Sequence, residues 1–201
     1  MSIHAGSPAA HPGAHTATGI PSGKLGMWVF LTSEVMFFTG LIGAYVVLRL
    51  SHPNWPGSEG HLSVGIGTLN TLLLIGSSTT IVLSLAASHT NSMPTTRGWL
   101  VATIVLGALF VLIKLFVEYR QKFAHHILPS TNVFWSCYYT MTGLHALHVF
   151  GGVVFNCWVL SRTFRQATWQ VNSHRLELAG LYWHFVDIVW IFLFPLLYLF
   201  G

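Results

Sequence analysis

The sequence predicts an all-α membrane protein, a bundle of five transmembrane helices. Three observations predict it. Only 7% of its 201 residues are charged, against about 25% in a soluble domain, too few to cover a globular surface. Five continuous apolar stretches, at 25–48, 62–87, 98–117, 133–160 and 178–200, each reach across a ~30 Å hydrocarbon core at ~1.5 Å per residue. The segments between them carry turn chemistry. The same continuity excludes a membrane β-barrel, whose strands alternate over ~10 residues.

Residues 1–23 precede the first stretch and are dominated by Gly, Pro, Ala, Ser and His. They have no basic n-region or apolar h-region, so they are expected to form a disordered tail rather than a signal peptide. The single domain is then 24–201. The first helix carries Gly40 and Ala44, and "SHPNWPGSEG" after it holds two prolines and two glycines. The second helix contains "GSSTT" (Gly76–Thr80) and ends in "HTNSMPTTRG"; the third ends in "HHILPSTN". The fourth carries Gly143, Gly151 and Gly152, and the basic segment "TFRQATWQVNSHR" leads to the fifth. Small and hydroxylic residues in mid-span let backbones approach and hydroxyls bond across helices. Cys137 and Cys157 form no CxxC pair and are expected to be small packing residues.

Orientation follows from the basic residues near the helix ends. Lys24, Arg97, Arg162, Arg165 and Arg175 fall on one side, and Arg49, Arg120 and Lys122 on the other. Five against three places the N-terminus in the cytoplasm and the C-terminus outside. A net charge of +4 without a basic run excludes nucleic-acid binding. No internal repeat is visible, unlike many secondary transporters.

The ionisable residues within the spans carry the functional expectations, because each is costly in lipid. Glu34 lies nine residues after Leu25, roughly 14 Å into the membrane. An acid there favours its neutral form and either bonds a neighbouring helix or relays protons. Lys114 and Glu118 are spaced i, i+4 and are expected to pair while snorkelling to the interface. His145 and His148 share the fourth helix. On the fifth, His184 lies about 20° and Asp187 about 80° from Glu177, on one flank. If that flank faces the fourth helix, these five residues form one buried polar network. The same group admits a metal-site reading, although it lacks the paired Glu-x-x-His motifs of di-iron bundles. A third reading is a stand-alone proton-coupled transporter using Glu34, His184 and Asp187. Phe37, Phe38, Trp183 and Trp190 either line a lipid groove or simply pack.

Several motifs resemble subunit III of the haem–copper terminal oxidases: "GMWVFLTSEVMFFTG" (26–40), "LNTLLLIGSSTT" (69–80), Glu118-Tyr119, "TGLHALHVFGG" (142–152) and "ELAGLYWHFVDIVWIFLF" (177–194). The resemblance implies the short five-helix bacterial form, with a V-shaped cleft that holds phospholipid. It implies no catalytic residue, haem, copper or other metal in this chain, with haems and copper in partner subunits. Subunit I is the implied main contact, with subunit II and further respiratory subunits beyond it. The implied role is to stabilise subunit I and sustain proton uptake, in a bacterial inner membrane. Glu34 matches the family acid that carbodiimides modify. The cytochrome c branch fits best; a quinol oxidase or a nitric-oxide-reductase accessory subunit is the alternative.

Overall fold

The computed structural model describes residues 22–58, 62–90, 92–165 and 169–200. The tail expected at 1–23 lies outside the described residues apart from Ser22 and Gly23, which already belong to a helix. The elements are α1 (Ser22–Ser51), α2 (Val64–His89), α3 (Met93–Leu112), a π-helical segment (Ile113–Tyr119), α4 (Arg120–Ala124), α5 (Val133–Arg165), α6 (Trp169–Phe194) and a second π-helical segment (Pro195–Leu199). Among the described residues, five spans are long and apolar enough to cross a membrane.

Two boundaries differ most from the sequence expectation. The third span runs on to Ala124, past the expected end at residue 117. Lys114, Glu118 and Lys122 interrupt the apolar run in the sequence, yet all three turn inward and are buried, so the helix continues. The fifth helix begins at Trp169 rather than 178, because a helix leaving the membrane tolerates charged residues in its first turns.

Local chemistry sets several ends. Ser63 caps α2, its Oγ accepting the Ile66 N–H at 3.4 Å, and a proline stands in the first turn of α3. After α4, His126 takes a left-handed φ of 56°, and the Ile127 N–H returns to the Lys122 carbonyl at 3.0 Å, closing the helix.

α2, α3, α5 and α6 form a closed ring, each packed on the next, while α1 lies outside it against α6 and α5. α2 contributes a buried stripe of Gly67, Asn70, Leu74, Ser77, Ile81, Ser84 and Ser88. Its alternating steps of three and four are the spacing of a helix seam. Mid-ring hydroxyls join helices: Thr80 to Thr103 at 2.8 Å and Ser84 to the Thr96 carbonyl at 2.9 Å.

Trp183 of α6 fills the centre of the ring and is fully buried. Its Nε1 donates to Ser77 Oγ on α2 at 2.9 Å. A Cβ at Gly107 on α3 would fall 2.5 Å from its ring, and one at Gly152 on α5 would fall 2.9 Å from it. One indole thus fixes the spacing of all four helices. Gly107→Ala and Gly152→Ala should each cost about 1–3 kcal/mol by overpacking, seen as earlier thermal unfolding of the purified chain in mild detergent. Gly98→Ala, where no atom lies within 4 Å, should leave that transition unchanged or slightly raised.

Candidate functional site

The densest polar chemistry sits where the third span ends. Lys114 Nζ pairs with Glu118 Oε2 at 2.6 Å, and Lys122 Nζ lies 3.5 Å from Oε1. Tyr138 of α5 donates to Glu118 Oε1 at 3.1 Å, and Tyr198 hydrogen-bonds the same oxygen. Lys114 donates to Tyr138 at 3.1 Å and Lys122 does so at 3.0 Å. Lys114 also stands 5.0–5.1 Å from the ring centroids of Tyr138, Trp190 and Tyr198, close enough for cation–π attraction. The residues at 114 and 118 do pair, but neither snorkels: Lys114 is 0% and Glu118 2% exposed. The π-helical backbone at 113–119, a feature frequent at functional sites, carries both. Lys122, Tyr138 and Tyr198 escaped the sequence reading. The i, i+4, i+8 spacing of Lys114, Glu118 and Lys122 was the signal that could have found the first of them.

The structure does not assemble the other five into one network. His148 turns to α1, its Nε2 3.0 Å from Glu34 Oε2, with Nδ1 2.8 Å from the Leu144 carbonyl. Glu177 lies at the opposite end of the bundle from the lysines, 2.7 Å from Lys24 and 4.0 Å from His174. His184 Nδ1 is 2.8 Å from Ser78 Oγ on α2. His145 stacks on Trp190, with centroids 5.1 Å apart, and meets Phe110 edge-on. Asp187 is buried and interacts with Ser78, the α2 hydroxyl that also meets His184, although neither of its oxygens reaches full hydrogen-bond geometry with a partner among the described residues. The two histidines are about 60° apart around α5: His145 points into the ring against Trp190, and His148, at the edge of the same face, meets Glu34 of α1.

Of the aromatics, Trp183, Trp190 and Phe38 are buried inside the protein and cannot line an external groove. Phe37 alone of the four expected aromatics faces outward, 45% exposed. Trp190 instead donates to Thr71 at 2.9 Å. Outward-facing grooves lie elsewhere. One of about 350 Å³ between α3 and α5 is walled by Val111, Leu115, Tyr119, Gly143, Leu147 and Phe150. Among the described residues, no three His, Cys, Asp or Glu side chains converge on a point.

The match to known proteins covers nearly the whole chain: the family model for cytochrome c oxidase subunit III aligns with residues 5–201. The chain belongs to the cytochrome c oxidase subunit III family. Relatives include cytochrome c oxidase subunit 3 of Thermostichus vulcanus, 38% identical over 87% of this chain and 86% of the relative. That of Alkalihalophilus pseudofirmus is 32% identical over 92% and 96%. A cytochrome bo(3) ubiquinol oxidase subunit 3 from Pseudomonas aeruginosa is 28% identical over 95% and 90%. In this family member, then, the charged motif residues 118, 177 and 34 occupy three separate sites, each joined to a different cation or imidazole.

The lysine–carboxylate cluster should dominate stability. Glu118→Leu strands two buried cations and should cost about 3–5 kcal/mol, while adding Lys114→Met should recover part of that loss. A double-mutant cycle on detergent unfolding measures the coupling. Lys24→Ala, at the partly exposed pair with Glu177, should move stability by less than about 1 kcal/mol.

Proposed function

We propose that this chain is the redox-inactive third subunit of a haem–copper terminal oxidase. In this reading it braces subunit I, with subunit II and other respiratory subunits beyond, while haems and copper reside in the partners. The complex oxidises an electron donor, reduces oxygen to water and pumps protons. The chain's share is to hold phospholipid and to sustain proton delivery to its partner. The observation that carries this is the family match across residues 5–201. The side chains support it: Glu34, Glu118 and Glu177 are each taken up by a partner within the chain, as befits a scaffold. Cytochrome c as donor is favoured by relatives at 38% and 32% identity that are subunits of cytochrome c oxidases. A quinol donor is the second reading, supported by the 28% identical ubiquinol oxidase subunit.

The membrane is the bacterial inner membrane, with the N-terminus cytoplasmic. Lys122 is buried, which leaves Arg49 and Arg120 as the cations of that side against five in sequence on the other, and the positive-inside rule supports this orientation. Phe37 and the groove between α3 and α5 are where acyl chains fit this reading.

Isolation of the complex through this chain should yield a haem-bearing subunit and an oxidase optical spectrum; isolation without any haem partner would contradict the assignment. Within that complex, Asp187→Ala should loosen lipid retention or assembly while haem content per subunit I stays constant, as read by pyridine haemochrome and lipid analysis. Glu34→Gln should leave initial turnover within about twofold of wild type, measured as early oxygen consumption. Complete loss in an intact complex would show that the acid serves the chemistry directly.

A further inference from the structure

Asp187 stands apart from the other acids of the spans. Glu34, Glu118 and Glu177 each pair with a cation or an imidazole. Among the described residues Asp187 has no such pair, and it is 4% exposed. A carboxylate in hydrocarbon with no cation to balance it needs another positive ligand. We infer that Asp187 is an exchangeable proton-binding site, reached from the surface of the chain through His184 and Ser78 and closed at its inner end. The inference concerns a proton held by this chain itself and does not rest on the oxidase reading, its partners or its lipids.

The entrance is a groove of about 250 Å³ between α1, α2 and α6, with Lys24, Leu85, Glu177 and His184 among its walls. The Lys24–Glu177 pair in it is partly exposed. His184 lies seven residues beyond Glu177, roughly 10 Å along the axis, so the groove leads from that pair toward mid-span. The imidazole Nδ1 meets Ser78 Oγ at 2.8 Å, which leaves Nε2 as the nitrogen for the groove. Ser78 interacts with Asp187 as well. An imidazole and a hydroxyl can each donate and accept, which is what a relay needs. Hydronium in the groove gives a proton to Nε2 and becomes water. The Nδ1 proton passes to Ser78 Oγ, and the Ser78 hydroxyl proton passes to an Asp187 carboxylate oxygen. One proton enters and one is bound, and the reverse steps return it.

The inner end is closed. Trp183 and Trp190 stand one turn to either side of Asp187 on α6, both fully buried. Their indole N–H groups are committed to Ser77 and Thr71, and an indole nitrogen only donates, so neither can pass a proton on. α2 carries no titratable side chain before His89. Glu34 of α1 is held by His148 of α5, while His145 of α5 and Lys114 of the third span lie against Trp190. The path therefore stores a proton and does not conduct it across the membrane.

The test uses the full chain with whatever subunits accompany it, in nanodiscs, by infrared spectroscopy. The carboxylic C=O stretch that Asp187→Asn removes is followed as water is replaced by heavy water. That band should be present in wild type and shift as fast as the solvent is replaced. Ser78→Ala should slow the shift about tenfold, the loss of one hydrogen-bonded link, and Ser78→Thr, which keeps the hydroxyl, should restore it. His184→Phe, at a half-buried position, should slow the shift likewise, and it carries the test alone if Ser78→Ala fails to fold. Three results would each overturn the site: no band belonging to Asp187, a band that does not shift in wild type, or a wild-type rate in either relay variant. The haem content of the same sample reports separately on the oxidase reading.

Discussion

Hydrocarbon offers no hydrogen bonds, and that constraint organises this chain. Polar side chains within the spans therefore turn to another helix or to their own backbone. The hydroxyls largely choose their own helix: Thr32, Thr68, Thr71 and Thr140 bond carbonyls four residues back. The ionisable groups also reach across. Lys114, Glu118 and Lys122 draw Tyr138 from α5 and Tyr198 from the chain's end. Three separate segments are thereby locked in register at one end of the bundle. A buried ion pair gives little net stability but a large penalty for mispairing. It therefore specifies which helices meet more than it strengthens their meeting.

Apolar attraction cannot do that specifying, since lipid tails are as apolar as leucine. Shape must supply the rest. Glycines at 107 and 152 leave room for the Trp183 indole, and Gly67 leaves room for Phe194 and Tyr198, whose rings a Cβ would meet at 2.8 Å. Bulk from α6 fits into hollows on α2, α3 and α5, and a single hydrogen bond to Ser77 sets the rotation. The polar cluster at one end joins three members of the ring, and the indole in the middle joins all four, by independent means.

The architecture was legible because length and apolarity suffice to read a spanning helix. The five spans and most loops emerge from that alone. The end of the third span did not, because hydropathy treats a lysine as an exit from lipid whether it turns outward or inward. The same blindness led to a snorkelling expectation for Lys114. The polar network was half legible. The residues were visible and so was their spacing along each helix, but the rotation of α5 against α6 is a tertiary fact. It sends His148 to Glu34 and leaves Glu177 to Lys24. Trp183 and Trp190 were ambiguous for a related reason: a tryptophan in a membrane helix has the same composition signal whether it faces lipid or glycine.

Packing on α1 is sparse, so polar contact carries its attachment. The helix stands outside the ring, the least buried of the five spans, with Trp28, Val29, Met36 and Phe37 turned outward. Its hold on the ring is a short series of specific contacts. Glu34 meets His148 at 3.0 Å, Tyr45 reaches the Leu196 carbonyl at 3.5 Å, and Phe38 packs edge-on against His148 and Phe185. His148 is thus a shared post, bonded to Glu34 and touched by Phe38, while Tyr182 donates to its carbonyl at 3.0 Å. Glu34 joins α1 to the ring near mid-span, while Lys24–Glu177 and Tyr45–Leu196 hold it toward its two ends, where a contact has the longer lever arm against tilt.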